Sequence, residues 1–132
     1  MKVSRVLETC LYAQDLQAAE AFYTRVLGLE VYARVPGRHV FFRCGSGMFL
    51  VFNPDTTEKE HDGHGCRGIG HVAWAVQESE LDDWREWLKT SGVPIRSDFS
   101  WPNGGHSLYF SDPAGNSLEL ATPAVWGMVE NA

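Results

Sequence analysis

Three ionisable side chains are embedded in apolar stretches of the sequence: Glu8, His71 and Glu119. Glu119 lies between two leucines directly after the turn-forming residues 112–116, and strand alternation would put it on the face opposite those leucines. Burying an unpaired carboxylate is costly, so such a group is exposed, protonated, ion-paired or bound to a cation. Two carboxylates and one imidazole held together would suit a divalent ion with open coordination positions.

Each of these residues also has a simpler interpretation when it is taken alone. Glu8 could form a salt bridge with Arg5 or Arg43, His71 could be a hydrogen-bonded core histidine, and Glu119 could be solvated. Only a fold that brings all three side chains to one place favours a shared ion over these separate explanations.

The first half of the chain has the pattern of one strand, one helix and three strands. Alternating residues predict a strand over 5–13, and Asp15 is the expected N-cap of a helix that ends at Gly28. Three shorter apolar runs, separated by glycine-containing turns, predict strands over 29–35, 39–43 and 48–52. This half is therefore a βαβββ unit over about residues 4–53.

The same order of elements returns after a polar, glycine-bearing stretch, residues 54–68, which we interpret as a solvated linker. A strand is predicted over 69–76, followed by a helix capped by Ser79 and a short strand over 93–96. A hairpin turning at residues 112–116 completes the unit. The second βαβββ unit spans about residues 69–123, and a tail covers 124–132.

Aligning the two halves places the candidate residues at corresponding positions. Glu8 matches His71 on the first strand of each unit, whereas Glu119 is matched by Leu50, or by Val51 after a shift of one residue. Two such units with curved sheets could pair side by side as an open cup. We therefore predict one α+β domain over residues 1–132, with Glu8, His71 and Glu119 meeting on its concave face.

Composition limits the partners of the chain. The net charge of −6 at pH 7 argues against nucleic acid and anionic membranes, and no apolar run is long enough to span a bilayer. Cys10, Cys44 and Cys66 lack CxxC spacing and fit free thiols, so a cytoplasmic location is expected. His61, His64 and Cys66 lie together in the linker, where a mobile surface loop is the simpler interpretation.

Four further residues are candidates for contact with a substrate. Arg43 closes an apolar strand and could bind an anionic group. Tyr12, Trp101 and Tyr109 could form the wall of the pocket, although aromatic residues more often fill a core.

A known family carries motifs like these in the same order. In the first half they are Glu8, Leu11-Tyr12, Asp15-Leu16, Ala21-Phe22-Tyr23 and Val26-Leu27-Gly28-Leu29. In the second half they are Gly70-His71-Val72-Ala73, Asp112-Pro113-Ala114-Gly115-Asn116 and Leu118-Glu119-Leu120. Together they resemble the vicinal oxygen chelate superfamily, which includes glyoxalase I, fosfomycin-resistance proteins, bleomycin-resistance proteins and extradiol dioxygenases. The resemblance covers about residues 6–123.

The resemblance implies a metal site built from the first and last strands of the two units. Carried over by position, the ligands are Glu8, His71 and Glu119, and Glu119 or Glu8 moves a proton. The metal would be divalent: Mn, Fe, Ni, Co, Mg or Zn. The chain departs from the family in two places. The first-strand ligand is often histidine but here is Glu8, and glyoxalase I draws another carboxylate from the strand that here has Leu50 or Val51.

The function implied is a metal-dependent lyase or isomerase that chelates a small oxygenated substrate and stabilises an enolate-type intermediate. Ring-cleaving dioxygenase chemistry ranks second, because a carboxylate replaces one histidine of the usual triad. Thiol addition to fosfomycin ranks lower still. The alternatives of another class are a metal-free binding protein of the bleomycin-resistance type and a cup that serves only as a dimer scaffold. A homodimer is also expected from the resemblance.

Overall fold

The computed structural model describes residues 1–130, which fall into two compact units: Met1–Gly70 and a second unit that begins at His71. Each unit contains one four-stranded sheet. Residues 131 and 132 of the predicted tail lie outside the described residues. No helix in the described range is both long and apolar enough to cross a membrane.

The first unit has the predicted order of elements. These are β1 (Glu8–Tyr12), α1 (Leu16–Arg25), β2 (Glu30–Val35), β3 (His39–Cys44), β4 (Gly47–Phe52) and the one-turn helix α2 (Pro54–Thr57). The strands lie in the order β1-β4-β3-β2, with β1 parallel to β4 and the other neighbours antiparallel. Asp15 caps α1 as predicted, because its side chain accepts a hydrogen bond from the Ala18 N–H at 3.0 Å.

The second unit repeats this arrangement. Its elements are β5 (His71–Ala75), a 3₁₀ turn (Glu78–Glu80), α3 (Leu81–Thr90), β6 (Ser97–Ser100), β7 (His106–Ser111), β8 (Ser117–Ala121) and a second 3₁₀ turn (Pro123–Trp126). The strand order is β5-β8-β7-β6, and β5 is parallel to β8. Both predicted βαβββ units are therefore confirmed.

One predicted strand of the second unit is wrong. The strand expected over 93–96 lies at Ser97–Ser100 instead. The Val93 N–H donates to the Leu88 carbonyl at 2.9 Å, so it satisfies a carbonyl of the last turn of α3, which ends at Thr90. Pro94 has no N–H for a strand ladder, and a hydrogen bond to β7 comes only later in the run, from the Arg96 N–H to the Tyr109 carbonyl at 2.7 Å.

The predicted cap of α3 is also wrong. Ser79 lies inside the 3₁₀ turn, and α3 begins only after that turn. The turn itself is closed by Gln77 and Glu80, which form a reciprocal capping box. The helix therefore starts two residues later than Ser79, at Leu81.

One face of each sheet packs into a hydrophobic core. In the first unit α1 covers this face: the Tyr23 ring centroid lies 4.8 Å from that of Phe49 and 5.7 Å from that of Phe42. All three of these side chains are fully buried. In the second unit the same face is filled by buried apolar side chains, which are Leu108, Phe110, Leu118 and Leu120. The opposite face of each sheet remains for the residues that could do chemistry.

An ion pair ties the helix to the edge strand in each unit. Glu20, the fifth residue of α1, accepts from Arg34 of β2 at 2.8 Å. Arg85, the fifth residue of α3, donates to Asp98 of β6 at 2.7 Å. Strand register places Arg34 and Asp98 at corresponding positions of the two sheets. The two ion pairs are therefore equivalent, but their polarity is reversed.

Residues 54–68, predicted as a solvated linker, are fastened to the first unit. The Asn53 side chain caps α2 by accepting from the Asp55 N–H at 3.0 Å, and Thr57 is fully buried. Beyond the helix, Arg38 donates to Glu60 at 2.9 Å. This stretch therefore carries structure of its own and is anchored next to β3.

Candidate functional site

Glu119 lies in β8, the strand between β5 and β7. The register places it opposite Ala73 on one side and Tyr109 on the other. Its side chain is on the sheet face that does not hold Leu118 and Leu120, as the sequence predicted, and the residue is only 7% exposed. The alternative of a solvated Glu119 is therefore wrong, and the carboxylate depends on partners within the protein.

His71, the first residue of β5, lies beside Glu119. Its Nδ1 is 2.9 Å from the Ser117 carbonyl oxygen, which can only accept, so Nδ1 carries a proton. In a neutral imidazole Nε2 then presents a lone pair, and this atom is 3.3 Å from Glu119 Oε1. Two acceptors thus face each other unless a cation, either a proton or a metal ion, lies between them.

The second carboxylate oxygen of Glu119 has its own partner. Ser107 donates to Oε2 at 2.6 Å, and the indole N–H of Trp101 donates to Ser107 Oγ at 2.9 Å. Tyr109 belongs to the same group, because burial raises the pKa of its hydroxyl and the neighbouring Glu119 carboxylate raises that pKa further. Oε1 is therefore the oxygen that faces His71, whereas Oε2 is held inside the unit.

The first unit has an apolar residue where the second has Glu119. Leu50 is paired with Cys10 of β1 in the same way that Glu119 is paired with Ala73 of β5. This register decides between the two sequence alternatives, since Leu50 and not Val51 is the counterpart of Glu119. The first unit consequently offers no carboxylate from its last strand.

The neighbours of Leu50 on β3 are ring side chains. Phe41 stands opposite Leu50 as Tyr109 stands opposite Glu119, and His39 follows on the same face. The His39 ring stacks on Phe41 with centroids 3.8 Å apart, and Arg38 Nη1 donates to His39 Nδ1 at 2.6 Å. Burial lowers the pKa of His39, and Arg38 lowers it further. This face of the first sheet is therefore built from stacked rings.

Glu8 is the first residue of β1, so the strand is shorter than the predicted 5–13. It pairs with Met48 of β4 in a parallel ladder, as His71 pairs with Ser117 of β8. The predicted correspondence of Glu8 and His71 is thereby confirmed. The Glu8 residue is exposed.

The two arginines that could have paired with Glu8 have other partners. Arg5 donates to the Ser46 carbonyl at 3.1 Å, and the Arg43 guanidinium lies 4.6 Å from the Tyr32 ring centroid. Arg43 is exposed, and its role as an anion-binding residue stays a prediction.

The structure brings two of the three predicted ligands together within one unit. His71 and Glu119 are neighbours in the second unit, whereas Glu8 belongs to the first. Over residues 1–130, neither unit by itself gathers three His, Cys, Asp or Glu side chains in a group that could hold a metal ion. The complete ligand set of Glu8, His71 and Glu119 therefore stays a prediction.

Tyr12 and the segment 54–68 are joined by a contact that the sequence did not reveal. The Tyr12 hydroxyl is 2.5 Å from His64 Nδ1, and the His64 ring meets Phe52 edge-on with centroids 4.7 Å apart. Burial raises the pKa of Tyr12 to about 12, with Cys10 as the next cause. His64 is thus an exposed loop residue whose ring packs against the first unit.

Two contributors to the candidate site were missed from the sequence: Ser107 and the Ser117 carbonyl. Only Ser107 had a usable signal. Once residues 112–116 are accepted as the turn of a hairpin, Tyr109 falls opposite Glu119, and Ser107 follows two residues away on the same face.

Comparison with known proteins identifies the family. The sequence profile of the Glyoxalase/Bleomycin resistance protein/Dioxygenase superfamily matches residues 5–120. The chain belongs to this superfamily, as its motifs predicted, and its two βαβββ units are the fold of that family.

Particular relatives narrow the comparison. A solved lactoylglutathione lyase from Agrobacterium tumefaciens is 40% identical, with a TM-score of 0.93 over 97% of this chain and 100% of that one. Metallothiol transferase FosB from Bacillus licheniformis is 27% identical over 117 residues, which are 88% of this chain and 73% of FosB. Fosfomycin resistance protein FosX from Listeria monocytogenes is 26% identical over 120 residues, 89% of each chain.

A FosX variant from the same organism has been solved in complex with Mn(II) and 1S,2S-dihydroxypropylphosphonic acid. It is 22% identical to this chain with a TM-score of 0.70 over 90% of each chain, and it therefore shows that the fold is shared. The homologues of this chain thus include metal-dependent enzymes of the superfamily.

Proposed function

We propose that this chain is a divalent-metal-dependent enzyme whose protein ligands are Glu8, His71 and Glu119. The observation that carries the proposal is the His71–Glu119 pair, in which imidazole Nε2 and a carboxylate oxygen face each other at 3.3 Å. The hydrogen bond from Nδ1 to the Ser117 carbonyl supports it, because metal-binding histidines typically donate their other N–H to such a group. The Mn(II) bound by the FosX variant points the same way.

The donor set fits the group that the family implies. Two carboxylates and one imidazole are hard to borderline ligands, which suit Mn²⁺, Fe²⁺, Ni²⁺, Co²⁺, Mg²⁺ or Zn²⁺. Such an ion supplies Lewis-acid stabilisation of the negative charge that develops on a substrate oxygen. His71 and Glu119 would hold it from the second unit, and Glu8 from the first.

The carboxylates are the proposed proton carriers. At Glu119 the proposed carrier is Oε1, which faces His71, whereas Oε2 accepts from Ser107. Glu8 is exposed and can exchange protons with solvent. Tyr109 stands opposite Glu119 in the strand register, so its neutral hydroxyl is a proposed donor to a substrate oxygen there.

The remaining candidates would recognise the substrate rather than react with it. The Trp101 ring is 36% exposed, and it and the Tyr12 ring offer flat apolar surface for carbon groups. Arg43 offers a permanent positive charge for an anionic end. These roles follow the sequence prediction, and substitution of Tyr12 or Arg43 by alanine should raise KM more than it lowers kcat.

We favour a lyase or isomerase reaction on a small molecule with two adjacent oxygens. The 40% identity to a lactoylglutathione lyase makes lactoylglutathione-type compounds the first to assay. Leu50 leaves this chain without the further carboxylate that the resemblance assigns to glyoxalase I. The assay panel should therefore extend to other substrates that carry adjacent oxygens, including catechols under oxygen.

Fosfomycin chemistry is the second candidate. It is favoured by the 27% and 26% identities to FosB and FosX. Incubation of the metal-loaded protein with fosfomycin, with and without a thiol, distinguishes it from the first candidate. Mass spectrometry would detect a thiol adduct or a hydrated product, whereas unchanged fosfomycin would leave the lyase or isomerase reaction.

Metal binding itself is tested on protein purified without a histidine tag. The bound metal is measured by mass spectrometry after dialysis against Mn²⁺, in the wild type and in Glu8→Gln, His71→Ala and Glu119→Gln. We expect one ion per chain in the wild type and at least about a tenfold loss of affinity in each variant.

Two variants serve as matched controls for that measurement. Glu30→Gln changes an exposed glutamate at the start of another strand of the first sheet, and His61→Ala changes an exposed histidine. Both should bind as the wild type does. If metal binding survives all three ligand substitutions, the metal binds at another site. If the wild type binds no metal, a metal-free binding protein is favoured.

Two broader expectations complete the proposal. A homodimer is also proposed, because the resemblance to the family implies one. Light scattering after gel filtration tests it. A cytoplasmic location is supported by the three free cysteines Cys10, Cys44 and Cys66.

A further inference from the structure

We infer that Ser107 and Trp101 are positioning residues that keep the Glu119 carboxylate monodentate, with Oε1 as the single oxygen offered to a metal ion. The inference rests on the proposed metal site and adds to it the way in which one ligand is oriented. It concerns contacts that all lie within the second unit.

The direction of each hydrogen bond is fixed by the chemistry of the groups. An indole N–H can only donate, so the Trp101 ring donates to Ser107 Oγ, at 2.9 Å. A serine hydroxyl has one proton, and an ionised carboxylate can only accept. The Ser107 proton therefore points to Glu119 Oε2, at 2.6 Å. The relay runs in one direction, from Trp101 through Ser107 to Glu119.

Burial makes this relay hard to replace. Ser107 is fully buried and Glu119 is 7% exposed, so water has little access to Oε2 if the serine hydroxyl is removed. A hydrogen bond to an ionised carboxylate is stronger than one between neutral groups. This bond uses one of the two lone pairs of Oε2 and holds that oxygen towards Ser107, whereas Oε1 lies 3.3 Å from His71 Nε2, so the orientation favours Oε1 as the single coordinating oxygen.

The outer end of the relay is also held in place. The Trp101 ring meets Phe99 in an edge-to-face contact, with centroids 4.9 Å apart. This contact fixes the plane of the indole and hence the direction of its N–H. A residue at the rim of the unit thereby sets the orientation of a buried carboxylate.

The test compares Mn²⁺ binding in the wild type, Ser107→Ala and Trp101→Phe. Affinity is measured by electron paramagnetic resonance of free Mn²⁺, and ligand mode by the separation of the carboxylate stretches in infrared difference spectra. We expect Ser107→Ala to weaken binding about 10- to 100-fold and to shift the stretches towards a bidentate pattern. Trp101→Phe keeps the ring but loses the N–H, and its effect should be smaller, about 2- to 5-fold.

Ser111→Ala is the matched control, because Ser111 lies on the same strand and the same face as Ser107. It should bind Mn²⁺ within about twofold of the wild type. Ser107→Thr retains the hydroxyl and should keep the monodentate infrared pattern of the wild type. If Ser107→Ala fails to fold, as judged by circular dichroism, Ser107→Thr and Trp101→Phe decide the question.

The outcomes separate this inference from the proposed function. The positioning role would be overturned if Ser107→Ala showed wild-type affinity and an unchanged infrared pattern. If Ser107→Ala does not fold, the same result in Trp101→Phe would overturn it. In either case the proposed metal site would still stand. A wild type that binds no Mn²⁺ would overturn the proposed metal site, and the positioning role with it.

Discussion

The two units share one backbone topology and differ in the side chains that they carry at corresponding positions. Both have the same strand order, and Leu50 of the first occupies the place of Glu119 in the second. Phe41 and His39 form a stack where the second unit has Tyr109 and Ser107. One sheet face is thus aromatic, and the other is an ordered chain of polar groups.

The comparison separates the requirements of the fold from those of the chemistry. On the helix-facing side both sheets are filled with buried apolar residues, because any βαβββ unit has to cover its sheet. On the opposite face of each sheet the fold does not require apolar residues, and the side chains of the two units differ there. At the first strand both units carry an ionisable residue, Glu8 in one and His71 in the other.

The largest effect on stability is expected in the buried cores, where the two units correspond. Phe42 and Phe110 are counterparts and both are fully buried, so Phe42→Ala and Phe110→Ala should each lower the free energy of unfolding by about 3–5 kcal/mol. Urea denaturation of the two variants gives the values. A near-neutral result for one of them would show that the two cores are not equivalent.

The next effect is expected where the units differ most. Glu119→Leu gives the second unit the residue of the first, and Mn²⁺ affinity should fall by about 100-fold or more, on the order of 3 kcal/mol. Isothermal titration measures it, and Leu50→Met, which conserves volume in the first unit, is the control. Unchanged affinity in Glu119→Leu would remove this carboxylate from the ligand set.

A smaller effect distinguishes the two helix starts. Asp15→Ala removes the hydrogen bond to the Ala18 N–H and should cost about 1 kcal/mol of stability. Ser79→Ala should stay within about 0.5 kcal/mol, because α3 begins after a turn closed by other residues. Thermal unfolding of the pair checks the contrast, and equal losses would contradict it.

The smallest effect is a pH dependence at Asp98 in the second unit. Arg85, and then His106, hold the pKa of Asp98 at about 2, below its usual 3.8. The ionised form is favoured in the folded state, so the stabilisation is present above pH 3.8 and is lost as the pH falls towards 2. Since the Asp98 side chain is 38% exposed, it should amount to less than about 1 kcal/mol.

Asp98→Asn tests this pH dependence. Urea midpoints of the wild type and the variant, measured at pH 4.5 and 2.5, should differ more at the higher pH, because only there is the wild-type carboxylate fully ionised. A difference that is the same at both values would contradict the assignment to Asp98.

The parts of the fold that the sequence predicted are those held by local interactions. At the turn before Glu119, Asp112 Oδ1 accepts from the Asn116 N–H at 2.8 Å, and Gly115 has φ +88°. Five consecutive residues contain every group that this turn needs, so their types were sufficient to predict it. The face of Glu119 then followed from alternation alone.

The parts that the sequence did not predict depend on distant partners. All four residues of β6 are exposed, so the strand has no apolar alternation and exists because β7 pairs with it. Tyr12 and His64 touch across 52 residues of sequence, and no local pattern encodes such a contact. Ser107 was missed because a serine in an apolar run has no distinctive type, and only the hairpin register gives it a role.

The reversed polarity of the helix-to-strand ion pairs has a consequence for folding. Helices α1 and α3 have equal length, and the two sheets have the same topology. During folding, each helix could therefore pack on the sheet of the other unit. In that exchange Glu20 would meet Asp98, and Arg85 would meet Arg34. Both encounters are repulsive, so the charges discriminate between correct and crossed docking even though each exposed pair contributes little to final stability.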